Sequence, residues 1–127
     1  MDENISKSVI RCAFEVSNEL GAGYLENVYE NALCLELDRA GVNYDRQQKI
    51  RVKYKGWLVG DYVADLIIER CLLVELKAVS RLNSAHEAQL MNYLRATGLS
   101  VGLLLNFGTN RVGIKRIVWK HDDCAVI

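Results

Sequence analysis

A mixed α/β domain, with elements in the order α-α-β-β-β-α-β-β, is predicted by three observations on this 127-residue chain. Apolar residues recur at helical spacing twice before Gly41. Three strand-like runs follow, over Gln48–Lys55, Tyr62–Ile68 and Cys71–Ala78. A helical stretch, Ser84 to Thr97, then separates the third run from a further buried strand, Val101 to Phe107. A strand, a crossover helix and a second strand within one sheet form a parallel pair, whereas the hairpins are antiparallel. The sheet of about five strands is therefore mixed and flanked by helices, in one domain covering residues 1–127.

The first helix is expected from Ile5 to Leu20, with Ile5, Val9, Cys12, Ala13, Val16 and Leu20 on one stripe and Gly21 ending it. The second is expected from Leu25 to Ala40, stopped by Gly41. Glu26 sits in its first turn, where the helix dipole favours a carboxylate, and taken alone reads as a helix-start charge. Tyr29, Glu30, Leu33 and Leu37 continue along the same side. In the first strand Ile50, Val52 and Tyr54 alternate with Lys49, Arg51, Lys53 and Lys55. The basic stripe suits tracking of a phosphate backbone, and equally an edge strand protected by lysines. Gly56 to Gly60 reads as a turn or irregular segment, Gly108 to Asn110 as a turn, and Val112 to Trp119 as the last strand.

Composition excludes little. Lys plus Arg and Asp plus Glu number 16 each, so any nucleic-acid-binding surface must be local. The four cysteines, Cys12, Cys34, Cys71 and Cys124, form no C-x-x-C pair, and with His86 and His121 they give no zinc-ligand spacing. They read as reduced, mostly buried thiols of a cytoplasmic protein. No apolar run is long enough to cross a membrane, and the acidic first residues lack the apolar core of a signal peptide.

The central hairpin carries the chemistry. Glu75 and Lys77, two apart, share a face of an otherwise apolar strand. A two-residue turn at Glu69-Arg70 would set Asp65 opposite Val74, on the wrong face for Glu75. An odd-length loop centred on Arg70, or a bulge, would set Asp65 directly across from Glu75, and we expect that register. Two carboxylates about 5 Å apart repel by roughly 3 kcal/mol at an effective dielectric near 20. Lys77 offsets part of this, and a divalent cation would offset more. Oxygen donors without His or Cys suit Mg²⁺ or Mn²⁺.

Asp65, nine intervening residues, then Glu75-x-Lys77 at the end of an apolar strand resembles the core of the PD-(D/E)xK nuclease superfamily. The helical Glu26 upstream and Gln89-x-x-x-Tyr93 downstream are similar to its RecB-like and phage exonuclease branch. Gly23-x-x-Glu26-x-x-Tyr29 resembles the signature of the small standalone GxxExxY proteins, and the likeness runs from about Ile5 through Asn106-Phe107-Gly108 to Ile117. Ala64 stands where the superfamily often has proline.

The resemblance implies a restriction-endonuclease-like core and a Mg²⁺- or Mn²⁺-dependent nuclease acting on nucleic acid, foremost DNA. It implies catalytic roles for Glu26, Asp65, Glu75, Lys77 and Gln89. Asp65, Glu75 and the Leu76 carbonyl would hold the metal, with Glu26 joining directly, through water or at a second ion. Lys77 would orient water and steady phosphate charge. Gln89 would fix Lys77 or the water, and Tyr93 would pack or touch phosphate, beside Lys49, Arg51, Lys53 and Lys55 as nucleic-acid contacts. The alternative is a catalytically silent module of the same fold that binds nucleic acid or a partner protein. An exposed edge strand and a shallow cleft suit a homodimer.

Overall fold

A computed structural model describes residues 3–119. Its elements are α1 (Glu3–Leu20), α2 (Glu26–Arg39), β1 (Tyr44–Tyr54), β2 (Trp57–Ile68), β3 (Leu72–Lys77), α3 (Ser84–Thr97), β4 (Val101–Asn106) and β5 (Gly113–Val118). The order is the expected one. The five strands lie in the sheet as they do in the chain, β1 to β5. Only β3 and β4 are parallel, joined by the α3 crossover, and the other three pairs are antiparallel.

The sheet is covered on both faces, which is why β3 and β4 are apolar almost throughout. Val9, Cys12, Ala13 and Val16 of α1, with Tyr29, Leu33 and Leu37 of α2, pack on Leu66, Ile68, Leu72, Val74 and Leu76. On the other face Leu90, Tyr93 and Leu94 of α3 pack on Ile67, Leu73 and Leu104. Strand alternation therefore places Glu75 and Lys77 on the α3 face, in step with Leu73. Each fully buried aliphatic side chain stabilises this sandwich by about 1.5–3 kcal/mol.

Both helix ends that border the site are set by local chemistry. Gly21, in the left-handed region at φ 68°, ends α1 with its amide bonded to the Ser17 carbonyl. Asn83 caps α3 through a reciprocal pair: its side chain accepts from the His86 amide, and its own amide donates to His86 Nδ1 at 3.2 Å. His86 is thus a capping residue.

Two expectations need correction. The segment Gly56–Gly60 is not irregular. Lys55 and Gly56, at φ 50° and 85°, make a two-residue turn that pairs Tyr54 with Trp57, and β2 begins at once. Trp57, Leu58 and Val59 all face solvent, so no alternation marks them as a strand. Likewise β1 begins at Tyr44, because the polar residues there are held by pairing to buried Leu66–Ile68 rather than by burial of their own. Cys12 and Cys34 are free and buried as expected, and Cys71 is half-buried in the β2–β3 turn. Cys124 and His121 lie outside the described residues. Among the described residues no helix is long and apolar enough to cross a membrane.

The chain leaving Lys77 is clamped from β4. Asn106, buried, donates to the Val79 carbonyl at 2.9 Å and accepts from the Val79 and Gly108 amides at 3.0 Å each. The Phe107 amide donates to the Lys77 carbonyl at 2.8 Å. Gly108 lies so close to this loop that a Cβ there would overlap the Val79 main chain. Main chain cannot swing aside as a side-chain tip can, so Gly108→Ala is expected to destabilise by about 2–3 kcal/mol. An urea midpoint unchanged from wild type would contradict the packing described.

Candidate active site

The site grows out of one turn. Glu69 and Arg70 occupy the left-handed region at φ 51° and 57°, and the Cys71 amide closes on the Ile68 carbonyl at 2.9 Å. This leaves a three-residue loop centred on Arg70, so Ile68 pairs with Leu72, Ile67 with Leu73 and Leu66 with Val74. The odd register expected from the sequence is the one observed. One step further along, Asp65 and Glu75 stand opposite each other.

At that step side chains replace the backbone ladder. The Asp65 amide donates to Glu75 Oε2 at 2.7 Å, and the Leu76 amide donates to Asp65 Oδ2 at 2.8 Å. Each carboxylate is thereby anchored through one oxygen to the partner strand, and its second oxygen is directed away from that bond. The β1–β2 ribbon turns over at the same place. Leu66 belongs to the core under α1 and α2, yet Ala64, two residues earlier, belongs to the core under α3. Gln47, across from Asp65 in this register, absorbs the turn with φ 50°. Asp65 therefore sits where the sheet changes face, half-buried rather than lost in either core.

The electrostatics show an excess of negative charge. Glu75, 4 % exposed, has its carboxyl pushed up to about 8, first by burial and then by Asp65, against the pull of the Asp65 amide and Lys77. Burial also raises Asp65, helped by Glu30, although the Leu76 amide draws it down. Glu26 is raised by partial desolvation and by Asp65 and Glu30, with Lys77 and His86 opposing. Glu26 thus shares the field of the pair from the start of α2, without a hydrogen bond to it among the described residues.

Lys77 Nζ donates to Gln89 Oε1 of α3 at 3.4 Å, a long bond that aims the ammonium along the α3 face. Tyr93, one turn after Gln89, is buried at 6 % exposure against the Tyr62 ring, 5.5 Å between centroids, and its hydroxyl is raised by burial and by Glu75. Lys49, Arg51, Lys53 and Lys55 are all exposed on the β1–β2 arm. Lys55 Nζ lies 5.4 Å over the Tyr54 ring.

Three residues were missed by sequence reasoning. Buried Glu30 accepts from Arg46 Nε and Nη2 at 3.2 and 2.8 Å and from Gln47 Nε2 at 2.8 Å. Gln47 Nε2 also reaches Asp65 Oδ1 at 3.4 Å, so Gln47 ties Asp65 to α2. The available signal was Glu30, one turn beyond Glu26 on the same side of the helix. Arg46 and Gln47 lie just before the strand expected from Gln48 to Lys55.

The Gly23-x-x-Glu26-x-x-Tyr29 spacing has a structural meaning. Tyr29 is fully buried and stacked on Phe107, 4.8 Å between centroids and 9° between planes. Its hydroxyl donates to the Gly21 carbonyl at 2.6 Å and accepts from the Tyr24 amide at 3.1 Å. Tyr29 thus holds the loop that delivers Glu26, and Phe107 holds the strand end that delivers Lys77. Tyr29→Phe should cost about 1–2 kcal/mol by orphaning those loop groups. A lowered midpoint in urea unfolding checks this, and no change would show that water replaces the hydroxyl at no cost.

The donor set suits a hard cation in chemistry, since Glu75 Oε1 is turned away from the Asp65 amide and Asp65 Oδ1 takes only the long 3.4 Å contact from Gln47. Among the described residues, however, no three His, Cys, Asp or Glu side chains are grouped closely enough to hold an ion by themselves. Asp65 and Glu75 form the pair, and Glu26 stands off from it. Such a pair beside a lysine can bind a cation and orient a phosphodiester against it.

No curated protein matches the sequence. Among solved structures the chain is similar to SSO0001, at 20% identity and a TM-score of 0.56, over 76% of this chain and 50% of that one. At that identity the likeness speaks for the fold alone, and this chain spans about half the length of SSO0001. The family model for the PD-(D/E)XK nuclease superfamily matches residues 3–117, from α1 into β5. A mixed five-stranded sheet with an Asp65–Glu75 pair and Lys77 at its covered face is the arrangement that the match spans, and the chain belongs to the PD-(D/E)XK nuclease superfamily.

Proposed function

We propose that this protein is a Mg²⁺- or Mn²⁺-dependent nuclease that hydrolyses phosphodiester bonds in nucleic acid, with DNA as the foremost substrate. The observation that carries it is the odd register of the β2–β3 hairpin, which sets Asp65 against Glu75 with Lys77 two residues on and tethered to Gln89. Superfamily membership supports the reaction class, and the Gly23-x-x-Glu26-x-x-Tyr29 spacing supports placement among the small GxxExxY proteins.

Asp65 and Glu75 would hold the cation through their outward oxygens beside the Leu76 carbonyl, and Glu26, which stands off from the pair, would join through water. When bound, the cation would polarise the phosphodiester and help generate hydroxide from water. Lys77, aimed by Gln89, steadies the negative charge that develops on the phosphate. Gln47 keeps Asp65 in register with α2, and Tyr93 walls the α3 side.

Incubation of the purified protein with end-labelled single- and double-stranded oligonucleotides tests this. Fragments in Mg²⁺ that vanish in EDTA are expected. The failure of Glu26 to join the pair favours a second reading, a silent module of the same fold. Oligonucleotide binding without turnover in either metal would establish that module and end the nuclease assignment.

A further inference from the structure

The β1–β2 arm runs past the body of the protein and carries features that the hydrolytic site does not use. At its tip Trp57 is 76 % exposed and Tyr54 62 %. Further down, Tyr62 is 49 % exposed and rests against Tyr93 of α3. Between arm and helix runs a groove of about 530 Å³ lined by Val52, Tyr62, Gln89, Asn92, Tyr93 and Arg95. Gln89 is the acceptor for Lys77, so this groove opens on the site. Exposed aromatic rings are costly to leave in water along a strand pair unless something stacks on them.

The charge says what kind of occupant fits. Residues 46–60 hold Lys49, Arg51, Lys53 and Lys55 and no acidic residue, although the whole chain balances at 16 and 16; Arg46 is taken up by Glu30, and Asp61 lies across the ribbon from Arg51. Arg95 adds a cation from the α3 side. A polyanion is attracted here, and a polyanion with exposed aromatic faces fits both features. Unpaired bases offer such faces, whereas in a duplex they are stacked on one another. The groove has the volume of a small-molecule pocket, enough for a nucleotide or two and too small for a double helix. From Trp57 to Asp65 the strand rises by at most about 26 Å, the reach of about eight stacked nucleotides at ~3.4 Å each.

We propose that the arm and α3 form a binding track for single-stranded nucleic acid, in which Trp57, Tyr54 and Tyr62 stack on unpaired bases, Arg95 and the arm lysines hold phosphates, and the strand is led towards Lys77. Substrates are then single strands or duplexes with single-stranded ends. The proposal rests on the nuclease assignment for the direction of the strand, but the binding itself requires no cleavage.

The test is fluorescence anisotropy of labelled 20-nucleotide oligothymidylate and of a 20-base-pair duplex, in EDTA so that nothing is cut. Wild type is expected to bind the single strand at least tenfold more tightly than the duplex. Trp57→Ala and Tyr62→Ala should each weaken single-strand binding about tenfold, and Trp57→Phe should retain most of it, since base stacking on an aromatic ring tolerates that exchange. Trp57 is exposed, so its replacement leaves the fold intact, which circular dichroism checks. Duplex bound as tightly as single strand, or undiminished binding by both alanine variants, would overturn the proposal. So would a concentration-dependent dimer abolished by Trp57→Ala in a protein that binds no oligonucleotide, which would make the tip a contact between copies. Single-strand binding without cleavage in Mg²⁺ would sink only the nuclease assignment, and Mg²⁺-dependent cleavage insensitive to Trp57→Ala would sink only the track.

Discussion

Asp65→Asn is expected to abolish Mg²⁺-dependent cleavage, lowering the rate by about a thousandfold or more, in a protein that remains folded. Asparagine keeps an oxygen to accept the Leu76 amide, so the strand junction survives. What is lost is the charge. Half of the carboxylate pair disappears, and with it the attraction for a cation that polarises the phosphodiester. Lys77→Ala should act differently. It leaves both carboxylates and removes the ammonium held by Gln89, a loss of transition-state stabilisation of order 10²–10³-fold. Gln89→Ala should cost less than either, because it only frees Lys77 to wander. Single-turnover cleavage by the three variants measures the order. Equal activity of wild type and Asp65→Asn would place the chemistry elsewhere.

Glu75→Gln should produce opposite effects on stability and activity. In metal-free buffer the folded protein holds a proton on Glu75 up to about pH 8, while the unfolded chain releases it near the usual value of 4.5. Between these values the folded state binds more protons than the unfolded state, so stability falls as pH rises. Below about pH 4.5 this contribution is fully present, and above about pH 8 it is gone. Each unit of such a shift is worth about 1.4 kcal/mol, so several kcal/mol ride on this one buried group. Glutamine still accepts the Asp65 amide and carries no charge. Glu75→Gln should therefore melt higher than wild type at pH 8 in EDTA, lose most of the fall in melting temperature between pH 5 and 8, and fail to cleave. A variant that melts lower than wild type at pH 8 would show that the carboxylate is stabilised in the fold rather than strained by it. Sites built for reaction commonly hold such unrelieved cost.

The elements that bury a periodic stripe were legible from the chain. The stripe of α1, the span of α3 and the apolar runs of β3 and β4 follow from burial, and burial writes itself into hydropathy. The site was legible for a different reason. Asp65, Glu75 and Lys77 interrupt apolar strands, and only one register brings the two carboxylates face to face. That register rests on Glu69 and Arg70 adopting positive φ, which no glycine announces. The first part of β1 and the start of β2 were not legible, because their residues are exposed and take their strand conformation from pairing with each other or with buried Leu66–Ile68. Gln47 and Arg46 were missed with them. Their roles depend on the ribbon turning over at Asp65, a three-dimensional event with no periodicity to reveal it. Tyr29 was visible as a motif residue, but its bond to Gly21 depends on how the intervening loop folds back, and its stacking on Phe107 joins segments far apart in sequence.

Thermal unfolding at pH 8 in EDTA, Mg²⁺ and Mn²⁺, for wild type and Asp65→Asn, tests most directly whether the Asp65–Glu75 pair is a cation site. A ligand bound only by the folded state, at a hundred times its dissociation constant, stabilises by about 2.7 kcal/mol. For a domain of this size that is a rise in melting temperature of roughly 10 °C. The expected result is such a rise in wild type with either metal and none in Asp65→Asn. An equal rise in both proteins, or none in wild type at millimolar metal, would contradict it.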